Sequence, residues 1–299
     1  MNKVKKIVPF LFDKFLSEHT REKTEKIILK IALVSFFLHL AIIYFMKFDF
    51  IDFTSNSDLL KSPISAVYTP FSFILIYEVY LLIYYLPKSF TTYITKQYEI
   101  ITLIIIRKLF KDLSALELTP DWFEIKGDLQ FTYDLIASLL LFYLIFLFQK
   151  QGNQKAIQEE SSKPIIDKFV EKKKLIAVIL VPLFFVMALY TLIEWTSGIY
   201  IASNSLPTFE SINNLFFDHF FMVLILVDVV LLLISFFYTD QFHKIIRNSG
   251  FVISTILIRM SFGVSGLTST VLIVTAVLFG LAILTIHNKY EKNSLPTAV

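Results

Sequence analysis

Two opposite charges set inside consecutive apolar runs constrain this chain more than any other feature. Between Phe71 and Phe110 the sequence reads FSFILIYEVYLLIYYLPKSFTTYITKQYEIITLIIIRKLF, with Glu78 in the first run and Arg107 in the second. The pattern recurs from Phe220, where FFMVLILVDVVLLLISFFYTDQFHKIIRNSGFVISTILIRMSF carries Asp228 and Arg259 in the corresponding places. Runs of this kind match a bilayer, whose hydrocarbon of about 30 Å is crossed by about 20 residues of α-helix. Composition agrees: 56% hydrophobic residues and 32 Phe, with a mean hydropathy of +0.66, lie beyond the roughly 45–50% apolar content of soluble domains. The expected fold is all-α, a polytopic membrane protein.

Span length and interrupting charges predict eight spans, at 25–47, 68–87, 98–113, 131–149, 175–195, 215–237, 250–264 and 268–287. The third and seventh are short. Lys and Arg set the orientation. Seven precede or open the first span (Lys3, Lys5, Lys6, Lys14, Arg21, Lys23, Lys26), seven more lie in 150–174, and Lys88, Lys96, Lys244, Arg247, Lys289 and Lys292 fall on the same side. The opposite loops hold only Lys47, Lys61, Lys111 and Lys126. Positive charge is retained in the cytoplasm, so both termini and the central linker are expected there. Asp49, Asp52 and Asp58 after the first span, Asp121, Glu124 and Asp128 after the third, and interfacial Trp122 and Trp195 fit the outer side. Five segments follow: a cytoplasmic basic N-terminus at 1–24, a four-span unit at 25–149, a charged linker at 150–174, a second four-span unit at 175–287 and a tail at 288–299. Within 1–24, Val8, Leu11, Phe12 and Phe15 share a helical face among Lys5, Lys6 and Lys14, as in a basic helix lying on anionic lipid; a solvated charged tail accounts for the same pattern. No cleaved signal peptide is expected, because Ile7–Phe12 is too short an apolar core.

Superposing Arg107 on Arg259 aligns SFTTYITKQYEIITLIIIRKLF with QFHKIIRNSGFVISTILIRMSF without a gap, and two residues of slippage bring Glu78 onto Asp228. Units of four spans run the same way through the membrane, so the halves are expected as parallel repeats about an axis along its normal. Glu78 and Arg107 each lie nine residues from the near ends of their spans, at Pro87 and Tyr98, and Asp228 and Arg259 repeat that spacing. Nine residues rise about 14 Å, close to the middle of the bilayer. A lone charge there costs about 2.5–3.5 kcal/mol on insertion scales, so each acid is expected to meet its Arg. Two readings stand: a pathway, relay or sensor, and a buried salt bridge that fixes a helix hairpin.

The repeated unit resembles the phosphate-starvation-inducible protein E family of four-span bacterial inner-membrane proteins. The likeness is carried by the acid in YEVYLLIYYLPKSF, the I-R motif of IITLIIIRKLFKD and the basic exit LIFLFQK, and in the second half by VDVVLLLISFFYTDQF, ISTILIRMSF and LAILTIHNK. This chain departs from the family by doubling the unit and by the long segment 112–130. The resemblance implies fold and a bacterial inner-membrane location; it brings no activity with it.

No phosphate-binding Gly loop, HExxH or GxSxG occurs, and GVSG at 263–266 is not a nucleophile elbow. With no Cys, disulfides, thiolate metal sites and cysteine nucleophiles are excluded. The chain is expected to be no enzyme and to take no cofactor, metal or nucleic acid. Its expected partners are the bilayer, anionic lipid at the basic segments, and further copies of itself. His39 is the one His deep in a span, expected as a helix-to-helix hydrogen-bonding group. Asp218 and His219 open the sixth span as an outer access point for an ion or proton, or simply as helix-start residues. Gly266 with Thr270, and Ala276 with Gly280, are four apart and permit close helix packing. Function reduces to two classes: a channel-like or transport-related protein, with a permeabilising effector as one version, and a structural or regulatory subunit of a membrane assembly.

Overall fold

The computed structural model describes residues 2–48, 63–115, 126–153, 163–201, 209–264 and 266–294, which are helical apart from short turns, with no strand among them. In order these are α1 (Asn2–Leu16), α2 (Glu18–Lys47), a 3-10 turn (Pro63–Val67), α3 (Tyr68–Tyr85), α4 (Phe90–Ala115), α5 (Lys126–Asn153), α6 (Lys163–Ile201), α7 (Phe209–Phe236), α8 (Phe242–Ser261) and α9 (Leu267–Ser294). The chain is therefore all-α. Six stretches are long and apolar enough to cross a membrane: Ile7–Lys47, Pro63–Tyr85, Asp128–Gly152, Asp167–Tyr190, His219–Phe236 and Leu267–Asn293. Of the eight expected spans, the third and seventh correspond to α4 and α8, which are not among the six. Both are nonetheless long enough: the 26 residues of α4 and 20 of α8 rise about 39 and 30 Å.

Why α8 misses on composition is visible in its packing. Asn248, Phe251, Val252, Thr255, Ile258 and Arg259 are buried, a stripe at helical spacing that includes its polar residues. Ile246, Ile253 and Met260, seven apart, are exposed. Polar groups inside and apolar groups outside is the arrangement that hydrocarbon, not water, stabilises. The same inversion runs along α5, where Asp134, Ala137, Ser138, Leu141, Leu144, Ile145 and Phe148 are buried while Leu139, Phe142 and Phe146 are exposed.

The chain forms two compact units, each drawing on both sequence halves: Met1–Tyr84 with Arg107–Pro120 and Lys174–Val223, and Tyr85–Ile106 with Asp121–Lys173 and Leu224–Val299. In the first, Ser17 breaks α1 from α2, its Oγ accepting the Thr20 N–H at 3.2 Å as an N-cap. Side chains then tie the N-terminal helices to α3: the Tyr77 hydroxyl donates to Glu25 Oε2 at 2.8 Å, the Tyr80 hydroxyl to the Phe15 carbonyl at 3.0 Å, and the Arg21 guanidinium lies 5.4 Å from the Tyr84 ring centre. His39 hydrogen-bonds Thr69 between α2 and α3, the helix-to-helix role expected of it. The rings of Phe71 and Phe110 stack at 5.2 Å, and those of Phe184 and Phe220 meet at 4.7 Å.

In the second unit α9 packs against α8 and α5. Thr270, Ile273, Ala276, Val277, Leu281, Leu284 and His287 form its buried stripe, and small residues allow the approach. A Cβ on Gly280 would collide with the Tyr98 hydroxyl. That hydroxyl shares a 2.7 Å hydrogen bond with Ser254 Oγ, which donates to the Ala276 carbonyl at 2.6 Å. Ala276 and Gly280 thus serve the close packing that their spacing predicts. The helices also extend into the charged linker, α5 to Asn153 and α6 back to Lys163.

Candidate functional site

Asp228, on α7, is the centre of a buried polar cluster in the second unit. Arg259 Nη2, on α8, donates to its Oδ2 at 3.0 Å, with both side chains almost wholly buried. The expected pair therefore forms. Two further residues come from α4: the Tyr93 hydroxyl donates to Oδ1 at 2.9 Å, and Gln97 Nε2 lies 3.4 and 3.3 Å from Oδ1 and Oδ2. Gln97 Oε1 in turn accepts from Arg259 Nη2 at 2.9 Å. The amide can bridge only in this sense, its N–H toward the carboxylate and its oxygen toward the guanidinium. Thr255 Oγ1 is 3.4 Å from Oδ2 but 3.0 Å from the Val252 carbonyl; its single proton favours the nearer carbonyl, so its hold on Asp228 is the weaker.

A carboxylate so surrounded has its lone-pair positions taken by neutral and cationic donors, which is how a buried charge avoids its desolvation cost. The guanidinium is less complete, because Arg259 Nη1 is buried without a hydrogen-bond acceptor among the described residues. Charge continues beyond the cluster. Lys173, in α6, is buried, donates to the Lys88 carbonyl at 2.8 Å, and has its ammonium 4.5 and 5.0 Å from the ring centres of Phe90 and Phe169. Asp228 and Arg247 both act on it electrostatically. Lys173, counted from the sequence among the orienting charges of the linker at 150–174, is therefore a buried, ring-covered cation.

In the first unit, Glu78 on α3 is buried and within electrostatic reach of Arg107 on α4. Glu78 makes no hydrogen bond among the described residues, and Arg107 is partly exposed. The two pairs related by the sequence alignment thus differ: one is knitted into a hydrogen-bonded cluster, the other interacts through its field. At the start of the sixth expected span His219 is exposed, and the Asp218 side chain lies outside the described residues, as do those of Trp122 and Trp195.

Four polar residues escape a reading of the sequence alone. Tyr93 and Gln97 precede the apolar part of α4, in TTYITKQYE, where nothing marks them as inward. Thr255 looks like one more small residue. Asp134 is the most consequential: buried on α5, it accepts from Thr270 Oγ1 at 2.6 Å and Gln130 Nε2 at 2.9 Å. A charge inside the expected span 131–149 was its available signal. Asp128, read as an outer-loop acid, sits buried in the first turn of α5.

No protein-family model matches the chain, and no curated protein or solved structure is significantly similar to it.

Proposed function

We propose that this chain is a non-catalytic integral protein of a bacterial inner membrane, a structural or regulatory subunit in which the Asp228–Arg259 cluster locks α4, α7 and α8 together. The observation that carries the reading is the saturation of Asp228: Tyr93, Gln97 and Arg259 all direct donors at one buried carboxylate. A relay or ion-binding carboxylate has to release its partners during a cycle, and each charge-assisted hydrogen bond broken here costs about 1.5–3 kcal/mol. The membrane location rests on the inverted helix faces, and the bacterial assignment on the resemblance of each half to the four-span family. Basic segments at both termini and in the linker favour anionic lipid on the cytoplasmic side.

A transport-related reading draws on the other pair. Among the described residues Glu78 is buried without hydrogen-bonded donors, and its cation Arg107 is partly exposed, so this acid is freer to exchange partners. Flux measurements on proteoliposomes separate the two. The structural reading predicts that wild-type protein passes H⁺, Na⁺, K⁺, Cl⁻ and phosphate no faster than empty vesicles. Flux above that background which Glu78→Gln abolishes, in a variant of normal thermal stability, would replace it with the transport reading.

A further inference from the structure

The first turn of α8 and the last turns of α9 bring together three side chains of metal-ligating chemistry, His243, His287 and Glu291, whose ligand atoms all lie within 4.8 Å of one another. His287 and Glu291 are four apart on α9 and so share a helix face. Glu291 Oε1 is 3.6 Å from His287 Nε2 and 3.9 Å from His243 Nε2. The imidazole rings lie at 5.1 Å with planes 25° apart, and the Tyr290 ring covers His243 at 6.3 Å. His287 is buried, and the other two are half-buried.

We propose that these residues bind a divalent transition-metal ion of the Zn²⁺, Co²⁺ or Fe²⁺ type. Two imidazoles and one carboxylate are the donor set such ions take, with water completing the shell. Metal–ligand bonds of about 2.0–2.2 Å place the donors of a tetrahedral site roughly 3.4 Å apart. The two carboxylate-to-imidazole edges close to that with movements of a few tenths of an ångström.

One neighbour opposes the ion. Arg247 Nη1 is 3.0 Å from His287 Nε2; a guanidinium only donates, so it occupies the lone pair that a metal would take. Arg247 is anchored elsewhere, Nε and Nη2 donating to Asn248 Oδ1 at 3.2 and 3.1 Å, and Asn248 Nδ2 reaching Ser235 Oγ on α7 at 3.4 Å. Metal and Arg247 therefore compete for one nitrogen, and binding breaks the Arg247 contact to His287 while leaving the two to Asn248. Removing the guanidinium should strengthen the site, the opposite of what loss of a supporting residue does.

The test is a titration of tag-free, chelator-stripped full-length protein in nanodiscs with Co²⁺, followed by ligand-field absorption, and with Zn²⁺ by competition. One saturable equivalent is expected. His243→Ala and Glu291→Gln should each weaken it by more than about tenfold, in protein whose metal-free melting temperature matches wild type, and Arg247→Met should tighten it. Absence of saturable binding in both wild type and Arg247→Met overturns the proposal. So does a titration that His243→Ala and Glu291→Gln both leave unchanged.

Discussion

At the level of single residues the buried carboxylate of Asp228 decides most. Four charged positions were legible because each interrupts an apolar run, and depth arithmetic alone paired Asp228 with Arg259. What the sequence hid was the neutral part of the cluster. Tyr and Gln are ordinary residues at a helix start, and only tertiary packing reveals that Tyr93 and Gln97 turn inward. Tyr93→Phe removes the 2.9 Å bond to Oδ1 and keeps the ring, so it should cost about 1.5–3 kcal/mol of stability, read as a lower melting temperature in nanodiscs with unchanged helical content. Wild-type melting in that variant would mean the hydroxyl contributes nothing to holding the carboxylate.

At the level of elements, helix existence followed directly from hydropathy, whereas the character of α4 and α8 did not. α8 buries Asn248, Ser254, Thr255 and Arg259, so averaging along the sequence dilutes a signal that its exposed face expresses, whereas α4 buries Thr95, Gln97 and Thr102 but leaves Thr92 and Lys108 exposed. In α8 the exposed Ile253 faces outward in the same turn as the buried Ser254 and Thr255. Ile253→Lys should therefore impair insertion by about 2.5–3.5 kcal/mol, checked as the membrane-integrated fraction in a translocation assay; insertion equal to wild type would place that face in water. Close approach gives a second prediction. The Cβ of Gly280→Ala would collide with the Tyr98 hydroxyl, an overpacking expected to cost about 1–3 kcal/mol. Tyr98→Phe should recover part of the loss, because the hydroxyl is the nearest atom. If the double variant loses as much as the two single losses summed, or more, the contact is not the cause.

At the level of the whole molecule, the repeat expected from the sequence and the packing describe different divisions: the halves are read along the chain, but each compact unit draws on both of them. Contacts such as Tyr93 with Asp228, 135 residues apart, have no local signature, which is why the sequence led to an expected repeat and not to this grouping. Topology is testable in a chain that lacks cysteine. If α8 crosses the membrane, single cysteines at Thr239, before it, and at Val264, after it, react with an impermeant thiol reagent from opposite sides. Labelling from one side only would make α8 a re-entrant helix and reduce the eight expected spans. The central claim, that the Asp228–Arg259 cluster is a structural lock, is tested most directly by the melting temperatures of Asp228→Asn, Arg259→Gln and the double variant in nanodiscs. Each single change leaves an uncompensated buried group and should cost about 3–5 kcal/mol, while the double change should recover more than half of either loss. Single variants that melt like wild type, or a double variant whose loss equals the sum of the two, would contradict it.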